Sequence, residues 1–298
     1  MRENRILALT KGKEIPIIVI LIAFLSCGYT VWKYIDWQQT ATRIQEPEKR
    51  IQAERETFST LTQVLGGTFV LISLYFTART IQISHETRIT NSFFQAMELL
   101  GDKDSLSKRI GGIYALERIA WDSEKDHWTI MEVFMSYARQ YTAIDVYKEK
   151  DSPTSLRTPE DIHAVIRAIS RRKRIYEKGE EHALDLRNLY LVSADFFCGH
   201  LQGVLLDGSI LDKASFKWAN LDKARLRKTS LRGANFTNAS LRQSKLADAD
   251  LTDAVLTNAH LEGTNLSDTV GLTNSQIESA IISPETRLPA YLQLRTKD

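Results

Sequence analysis

An α+β chain in three parts is predicted: two membrane-spanning helices, a small helical bundle, and a coil of stacked parallel strands closed by a short helix. Three observations predict it. Ile15–Trp32 is eighteen residues without a charge, close to the ~20 residues that a bilayer-spanning helix needs. From Ser84 to about Gly179 apolar residues recur at helical spacing. From Leu184 to Asp268, seventeen successive blocks of five each hold Leu or Phe at the centre.

The first span is placed at 15–35, behind a tail of 1–14. Lys11 and Lys13 stand on one side and Trp32, Tyr34 and Trp37 on the other, and such amphipathic aromatics belong at a lipid–water boundary. Its apolar run is longer than the ~7–15 residues of a signal-peptide core and its charged lead is long, which argues for an anchor. The second span, 57–79, is polar in its first third through Thr57, Ser59, Thr60, Thr62 and Gln63, and Gly66-Gly67 permits close approach of the first helix. Together they form an expected hairpin around an extracytoplasmic loop at 36–56. Four Lys/Arg precede the first span and two come after the second, against five in the loop, so charge does not orient the hairpin. Cytoplasmic termini are expected instead from the lack of a disulfide pattern around Cys27 and Cys198 and of a cleavable export signal.

The bundle is placed at 80–180. Phe93, Phe94, Met97 and Leu100 make one apolar face, and Ile110, Ile113, Leu116 and Ala120 a second. Gly111-Gly112 inside that second helix costs ~1 kcal/mol per glycine relative to Ala, which points to tight helix packing. A third helix carries Ile130, Val133, Phe134 and Tyr137. Beyond the loop containing "DSPTSLR", a fourth opens with Thr158 as cap and Pro159 in the first turn. It ends in Arg171–Arg174, cations that suit a helix C-terminus or anionic lipid heads. His127 and His163 have no partner at i+4 and no nucleophile–base signature beside them, so core or surface roles are assigned.

Neither a helix nor a flat strand has a period of five. The central residues are Leu186, Leu191, Phe196, Leu201, Leu206, Leu211, Phe216, Leu221, Leu226, Leu231, Phe236, Leu241, Leu246, Leu251, Leu256, Leu261 and Leu266. Two residues before them stands Ala nine times and Gly, Ser or Thr five times. One large and one small inward residue per block suit a chain that turns a corner every five residues and closes a square coil every twenty. Successive coils would stack at ~4.8 Å, each burying the other's ladder of large side chains. Phe196, Phe216 and Phe236, twenty apart, would then share a wall. After the coil, at 269–298, Thr273 and Gln276 offer a capping box for a short helix that would cover the last edge.

"GANFTNASL" and "ADADLTDAVLTNAHL" resemble the pentapeptide-repeat proteins, whose block is A-(D/N)-L-x-x. "RIGGIYALERIAWDSEKDHWTIMEV", "PEDIHAVIRAISRR" and "GLTNSQIESAIISPETRLP" resemble segments that accompany the repeats in bacterial membrane-anchored members. The resemblance implies a right-handed quadrilateral parallel β-helix over 184–268 and a place in the bacterial inner membrane. Family members that inhibit DNA gyrase carry strongly negative surfaces resembling duplex DNA. Here 184–268 holds ten Lys/Arg and ten Asp/Glu, which argues against DNA mimicry.

Two surfaces stand out as candidates. Lys223, Arg225, Arg227, Lys228, Arg232, Arg242 and Lys245 fall on the same or adjoining walls of a twenty-residue coil, a cluster either left in water or kept for an anionic partner. Tyr190, Val192, Phe197, Leu205, Ile210 and Trp218 put apolar side chains where blocks should face outward, as if something covered them. No phosphate loop, metal constellation or nucleophile motif occurs, so no enzyme activity and no cofactor are expected. The expected function is a membrane-anchored scaffold for a protein partner. The alternative is a membrane effector that forms a homo-oligomer through its spans and perturbs the lipid bilayer.

Overall fold

A computed structural model describes residues 2–145, 158–173, 175–176, 179–180 and 182–292. The segment "DSPTSLR", Arg174 of the basic run and the last residues of the expected cap lie outside the described residues. So do the side chains of Ile15–Ile18 and Ile20 in the first expected span and those of Arg2, Arg5, Lys11 and Lys13.

The chain divides into two compact units, Met1–Ile89 and Thr90–Asp298. In the first, helix α1 (Arg2–Ala41) turns through a short linker into α2 (Pro47–Leu100). The two run antiparallel: the Ser26 and Thr68 hydroxyls hydrogen-bond at 2.7 Å, and the Trp37 and Phe58 rings meet edge-on with centroids 6.3 Å apart. Gly66 and Gly67 do not bring the helices together, since a Cβ on either would meet nothing within 4 Å.

The predicted fold class is corrected on two counts. Among the described residues one helix, α2, is long and apolar enough to cross a membrane, with an 18-residue window of mean hydropathy 1.5, none of it buried. Among the described residues the expected pair of spans is therefore reduced to one candidate. Both helices also run on past the expected boundaries, because α1 extends through polar residues to Ala41 and α2 starts at Pro47 and continues unbroken to Leu100. The second count concerns strands. The only ones described are β1 (Ile175–Tyr176) and β2 (Gly179–Glu180), a two-residue parallel pair, so continuous strands of a parallel β-helix are not formed.

The second unit explains why. Helices α3 (Leu106–Asp122), α4 (Glu124–Thr142) and α5 (Glu160–Ser170) pack on one another, and α3 touches the last turns of α2. A Cβ on Gly112 would sit 2.7 Å from the Ala96 carbonyl oxygen and from the Leu100 nitrogen, so this glycine lets α3 touch the backbone of α2, whereas Gly111 faces open space. Asp161 ties the helices together: its Oδ2 accepts from Arg109 Nε and from Tyr137 OH, each at 2.8 Å. Burial, and then the Asp161 carboxylate, push the Tyr137 hydroxyl well above its ordinary pKa, so it stays a donor. Thr158 is not the cap of α5. Pro159 holds that position, and the Thr158 hydroxyl donates to the Val192 carbonyl at 2.7 Å instead.

From Leu184 onward, single residues bridge in parallel to partners twenty further on, as in Asp185 to Leu205, Arg225 to Lys245 and Asp250 to Val270. Every one of the seventeen blocks places the residue two after its centre at positive φ, thirteen of them non-glycine, from Asn188 at 56° to Asp268 at 60°. In fifteen of the blocks the residue after that donates back to the central carbonyl, as Ala194 does to Leu191 at 3.1 Å. Positive φ at the third position marks a type II turn. A turn in every block leaves one bridged residue per wall, too few for a strand. All seventeen central side chains are buried, and the rings of Phe196, Phe216 and Phe236 stack at 4.7 and 5.0 Å.

Candidate interaction surface

Backbone hydrogen bonding decides which side chains the coil can spare for binding. In a typical block the central N–H, the one before it and the one two after it all donate to neighbouring coils: Leu226 to Lys245, Arg225 to Val204 and Lys228 to Ala247, at 2.8, 2.9 and 3.1 Å. The block's first N–H closes the turn. That leaves the N–H just after the centre. Asn or Asp just before the centre accepts it: Asp222 N donates to Asn220 Oδ1, Thr237 N to Asn235, Thr252 N to Asp250 and Ser267 N to Asn265, each at 3.0 Å. This supplies a physical reason for the second letter of the repeat, since a buried donor left unpaired costs ~1–3 kcal/mol.

In three of the eleven blocks where that position is not Asn or Asp, an aspartate one coil earlier takes over. Asp207 Oδ1 accepts from Arg227 N, Asp212 from Arg232 N and Asp222 from Arg242 N, at 3.0 to 3.1 Å. These three aspartates sit beside the basic residues and neutralise part of the cluster. Asp207 also holds Arg225 at 2.7 Å, Asp250 holds Arg232 at 3.7 Å, and Glu262 holds Arg242 at 3.3 Å. Burial pushes the Glu262 carboxyl up, but its own backbone N–H, His260 and Arg242 outweigh it and hold it below the ordinary glutamate value.

The seven cations thus differ. Arg225, Arg232 and Arg242 are paired, and Lys223 also takes part in an interaction. Arg227, Lys228 and Lys245 are exposed and have no ion-pair partner among the described residues. They lie on the wall built over Leu206, Leu226 and Leu246, where Arg225 bridges to Lys245. Sequence spacing places them there. The pairing of their neighbours was missed, although acid and base eighteen residues apart, as in Asp207 and Arg225, is a signal that a twenty-residue coil makes readable.

The six apolar residues do not form one face. Tyr190 is buried and its N–H donates to the Thr142 carbonyl at 2.6 Å; Val192 and Ile210 flank it, half-buried, on the wall of Leu191 and Leu211. Leu205 is half-buried on the wall of Leu206. Phe197 and Trp218 stand out on the wall of Phe196 and Phe216, 54% and 61% exposed. The helices do not lie over this surface; they end the coil. Asp185 N contacts Met135 Sδ at 3.0 Å, Ile144 N donates to Asn188 O at 3.1 Å, and His200 N donates to Ser170 O at 2.9 Å.

The basic run after α5 serves the same junction. Arg172, buried, donates to the carbonyls of Ile169 and His200, Arg171 pairs with Glu117 at 3.2 Å, and the Lys173 ammonium lies 5.7 Å from the Trp121 ring centre. Among these three no cation is left for a lipid head. At the far end the capping box of Thr273 and Gln276 opens helix α6 (Asn274–Glu278). Gln276 Nε2 donates to the carbonyls of Leu251 and Ala254 at 3.2 and 2.7 Å, closing the last coil. His127 is buried with its Nδ1 3.2 Å from the Ala120 carbonyl, and burial lowers the pKa of His163. No group of His, Cys, Asp and Glu among the described residues could hold a metal ion.

Comparison with known proteins bears on the coil alone. The family described as Pentapeptide repeats matches in eight copies over residues 200–238 and 234–270. No curated protein matches. Among solved structures, the pentapeptide repeat protein Rfr23 from the cyanobacterium Cyanothece 51142 is 21% identical, covering 38% of this chain and 69% of that one with a TM-score of 0.24. HetL from Nostoc sp. strain PCC 7120, a pentapeptide repeat protein involved in heterocyst differentiation regulation, is 30% identical. That match covers 28% of this chain and 38% of HetL, with a TM-score of 0.28. The protein alr5209 from Nostoc PCC 7120 is also 30% identical over 34% of this chain and 78% of its own, with a TM-score of 0.27.

Proposed function

Because residues 200–270 are pentapeptide repeats, we propose that this chain is a membrane-anchored interaction protein that offers one wall of its coil to an anionic protein partner. Pentapeptide-repeat proteins are generally non-enzymatic interaction proteins. The observation that carries the reading is the corner formed by Arg227, Lys228 and Lys245, three exposed cations without ion-pair partners among the described residues, on a lattice whose backbone donors are otherwise committed. The coil fixes the backbone spacing of these three residues, so a partner has only their side chains to order, at ~0.5–1.5 kcal/mol each. Helix α2 is the anchor in this reading, in a bacterial inner membrane. A single crossing puts the two ends of α2 on opposite sides of the bilayer, and only the bundle and coil are assigned to the cytoplasm, where the exposed thiol of Cys198 would stay reduced.

The test is in-cell cross-linking of the full-length chain beside the triple variant Arg227→Glu, Lys228→Glu, Lys245→Glu. The Arg227 N–H that Asp207 accepts survives the change, so the coil keeps its bonding. Loss of one defined acidic partner from the variant supports the reading. An unchanged set of cross-linked proteins would overturn it and return the corner to plain solvated surface. Charge reversal at Arg225 and Arg242 is a poorer test, because it would also break the pairs with Asp207 and Glu262.

A further inference from the structure

We propose that the bundle holds a second site, independent of the coil's wall, for a small organic anion with an apolar body. A pocket of about 310 Å³ opens between the end of α2 and the outer side of α4. Ligand pockets in proteins begin at about this size, ~300 Å³. Met97, Leu100 and Val133 supply its apolar part, and Ser136, Gln140 and Tyr141 its neutral polar groups. The Tyr137 ring also lines it, 4.7 Å from that of Tyr141. Its hydroxyl is turned to Asp161, so Tyr137 offers the pocket an aromatic edge and no free donor.

One formal charge lines the pocket, and it is positive: Lys103. Acids flank Lys103 on both sides in the chain, but Asp102 is held by Lys108 at 2.7 Å, and neither Asp102 nor Asp104 lines the pocket or lies within ion-pair distance of Lys103. Lys103 itself has no ion-pair partner among the described residues. Val133 fits the same account. Helical spacing puts it on the inward stripe of α4, yet it is only half-buried while Ile130, Phe134 and Tyr137 are buried. The space in front of it is the pocket. A cation at the rim, an apolar interior and hydroxyl and amide groups between them suit a carboxylate or similar anion carried on a hydrocarbon or aromatic frame. An acidic group in the lining would have favoured an amine, and there is none among the described residues.

The experiment uses the full chain in nanodiscs of neutral phosphatidylcholine, with the methionine methyls carbon-13 labelled. Titration with 2-naphthoate is followed at the Met97 methyl resonance, beside 2-naphthylmethanol as the uncharged analogue of the same shape. The expected result is a saturable shift with naphthoate, and weaker binding of the alcohol. Lys103→Gln should weaken naphthoate binding about tenfold, as expected for losing one rim charge at intermediate dielectric, and leave the alcohol unchanged. Val133→Trp should fill the pocket and abolish both, with the ligand-free spectrum of each variant reporting that the bundle is intact. No saturable shift at Met97, equal affinity for the alcohol, or unchanged naphthoate binding in Lys103→Gln would each overturn the proposal. Replacing naphthoate by octanoate and by dodecanoate then separates a compact metabolite from a lipid-derived chain: binding of dodecanoate tighter than that of naphthoate would overturn the assignment to a small ligand.

Discussion

The stack of three phenylalanines allows the energetics of the coil to be tested by difference. Phe196, Phe216 and Phe236 are each fully buried, with adjacent rings 4.7 and 5.0 Å apart and tilted by only 7° and 3°. Phe216 touches two rings and Phe236 one. An aromatic pair contributes ~0.5–1.5 kcal/mol beyond the area it buries. Phe216→Leu removes two such pairs, ~1–3 kcal/mol, and Phe236→Leu removes one, ~0.5–1.5 kcal/mol. The transfer and cavity costs of changing Phe to Leu act at both fully buried sites and cancel to first order in the comparison. Phe216→Leu should therefore be the more destabilising by ~0.5–1.5 kcal/mol. Urea unfolding of the full chain in nanodiscs measures it, together with hydrogen exchange at the coil amides, because repeat arrays can open locally. Equal losses in the two variants would show that the stacking adds nothing to the burial, and the reasoning would fail.

Four further substitutions address other parts of the second unit. Asn235→Ala strips the acceptor from Thr237 N and Oγ1 and should cost ~1–3 kcal/mol, visible as faster exchange of the Thr237 amide. Gly112→Ala forces a Cβ against the α2 backbone and should cost ~1–3 kcal/mol, whereas Gly111→Ala, with open space beside it, should stabilise by ~0.5–1 kcal/mol; thermal melts compare them. The Arg187 guanidinium, hydrogen-bonded to Asp185, holds that carboxyl below the ordinary value of 3.8 against the opposing effect of burial. A lowered folded pKa means stability present above the unfolded value and lost as pH falls through the folded one. Asp185→Asn should therefore be less stable than the native chain at neutral pH and lose less on acidification below about pH 4, as followed by acid titration of unfolding.

The coil was legible in the sequence because its constraint is local and repeated: each block must turn, and each must bury one large residue. Nothing in Leu or Phe every five residues says how the fourth backbone donor is satisfied. That required seeing Asn235 reach Thr237 and, where Ser230 and Ser240 replace the amide, seeing Asp212 and Asp222 reach across from the coil before. The apolar early blocks divide: Tyr190 is buried where the bundle meets the edge of the first coil through Thr142, Ile144 and Ser170, while Phe197 and Trp218 stand exposed, a difference that the sequence pattern does not show. Thr158 has the composition of a helix cap and serves that edge instead. The two expected spans fared differently. The second lies within α2, which is long and apolar enough to cross a membrane, whereas no such window is found among the described residues of α1, and both helices run on into polar sequence, so their ends are not marked by the uncharged runs.

Closing both edges determines how this coil can recognise anything. A sheet edge left open offers unpaired N–H and C=O groups to any other chain. At the first coil, Tyr190 N and His200 N already donate to carbonyls of the bundle, and Arg172 and Arg139 cover the carbonyls of His200 and Asp185. At the last, Leu261 N and Leu266 N donate to Ile281 and Arg287 at 2.7 and 2.8 Å, while Thr286 and Gln276 cover the carbonyls of Leu261, Leu251 and Ala254. Addition of a strand at either end would have to displace these bonds, so in the proposed reading side chains on the walls would carry recognition. Most of the charged ones are occupied: the aspartates by turn amides, three arginines by acids one coil away. Asp207 is taken up by the Arg225 guanidinium and the Arg227 amide, which leaves the side chains of Arg227, Lys228 and Lys245 without an ion-pair partner among the described residues, and the proposed partner would meet those three of the seven.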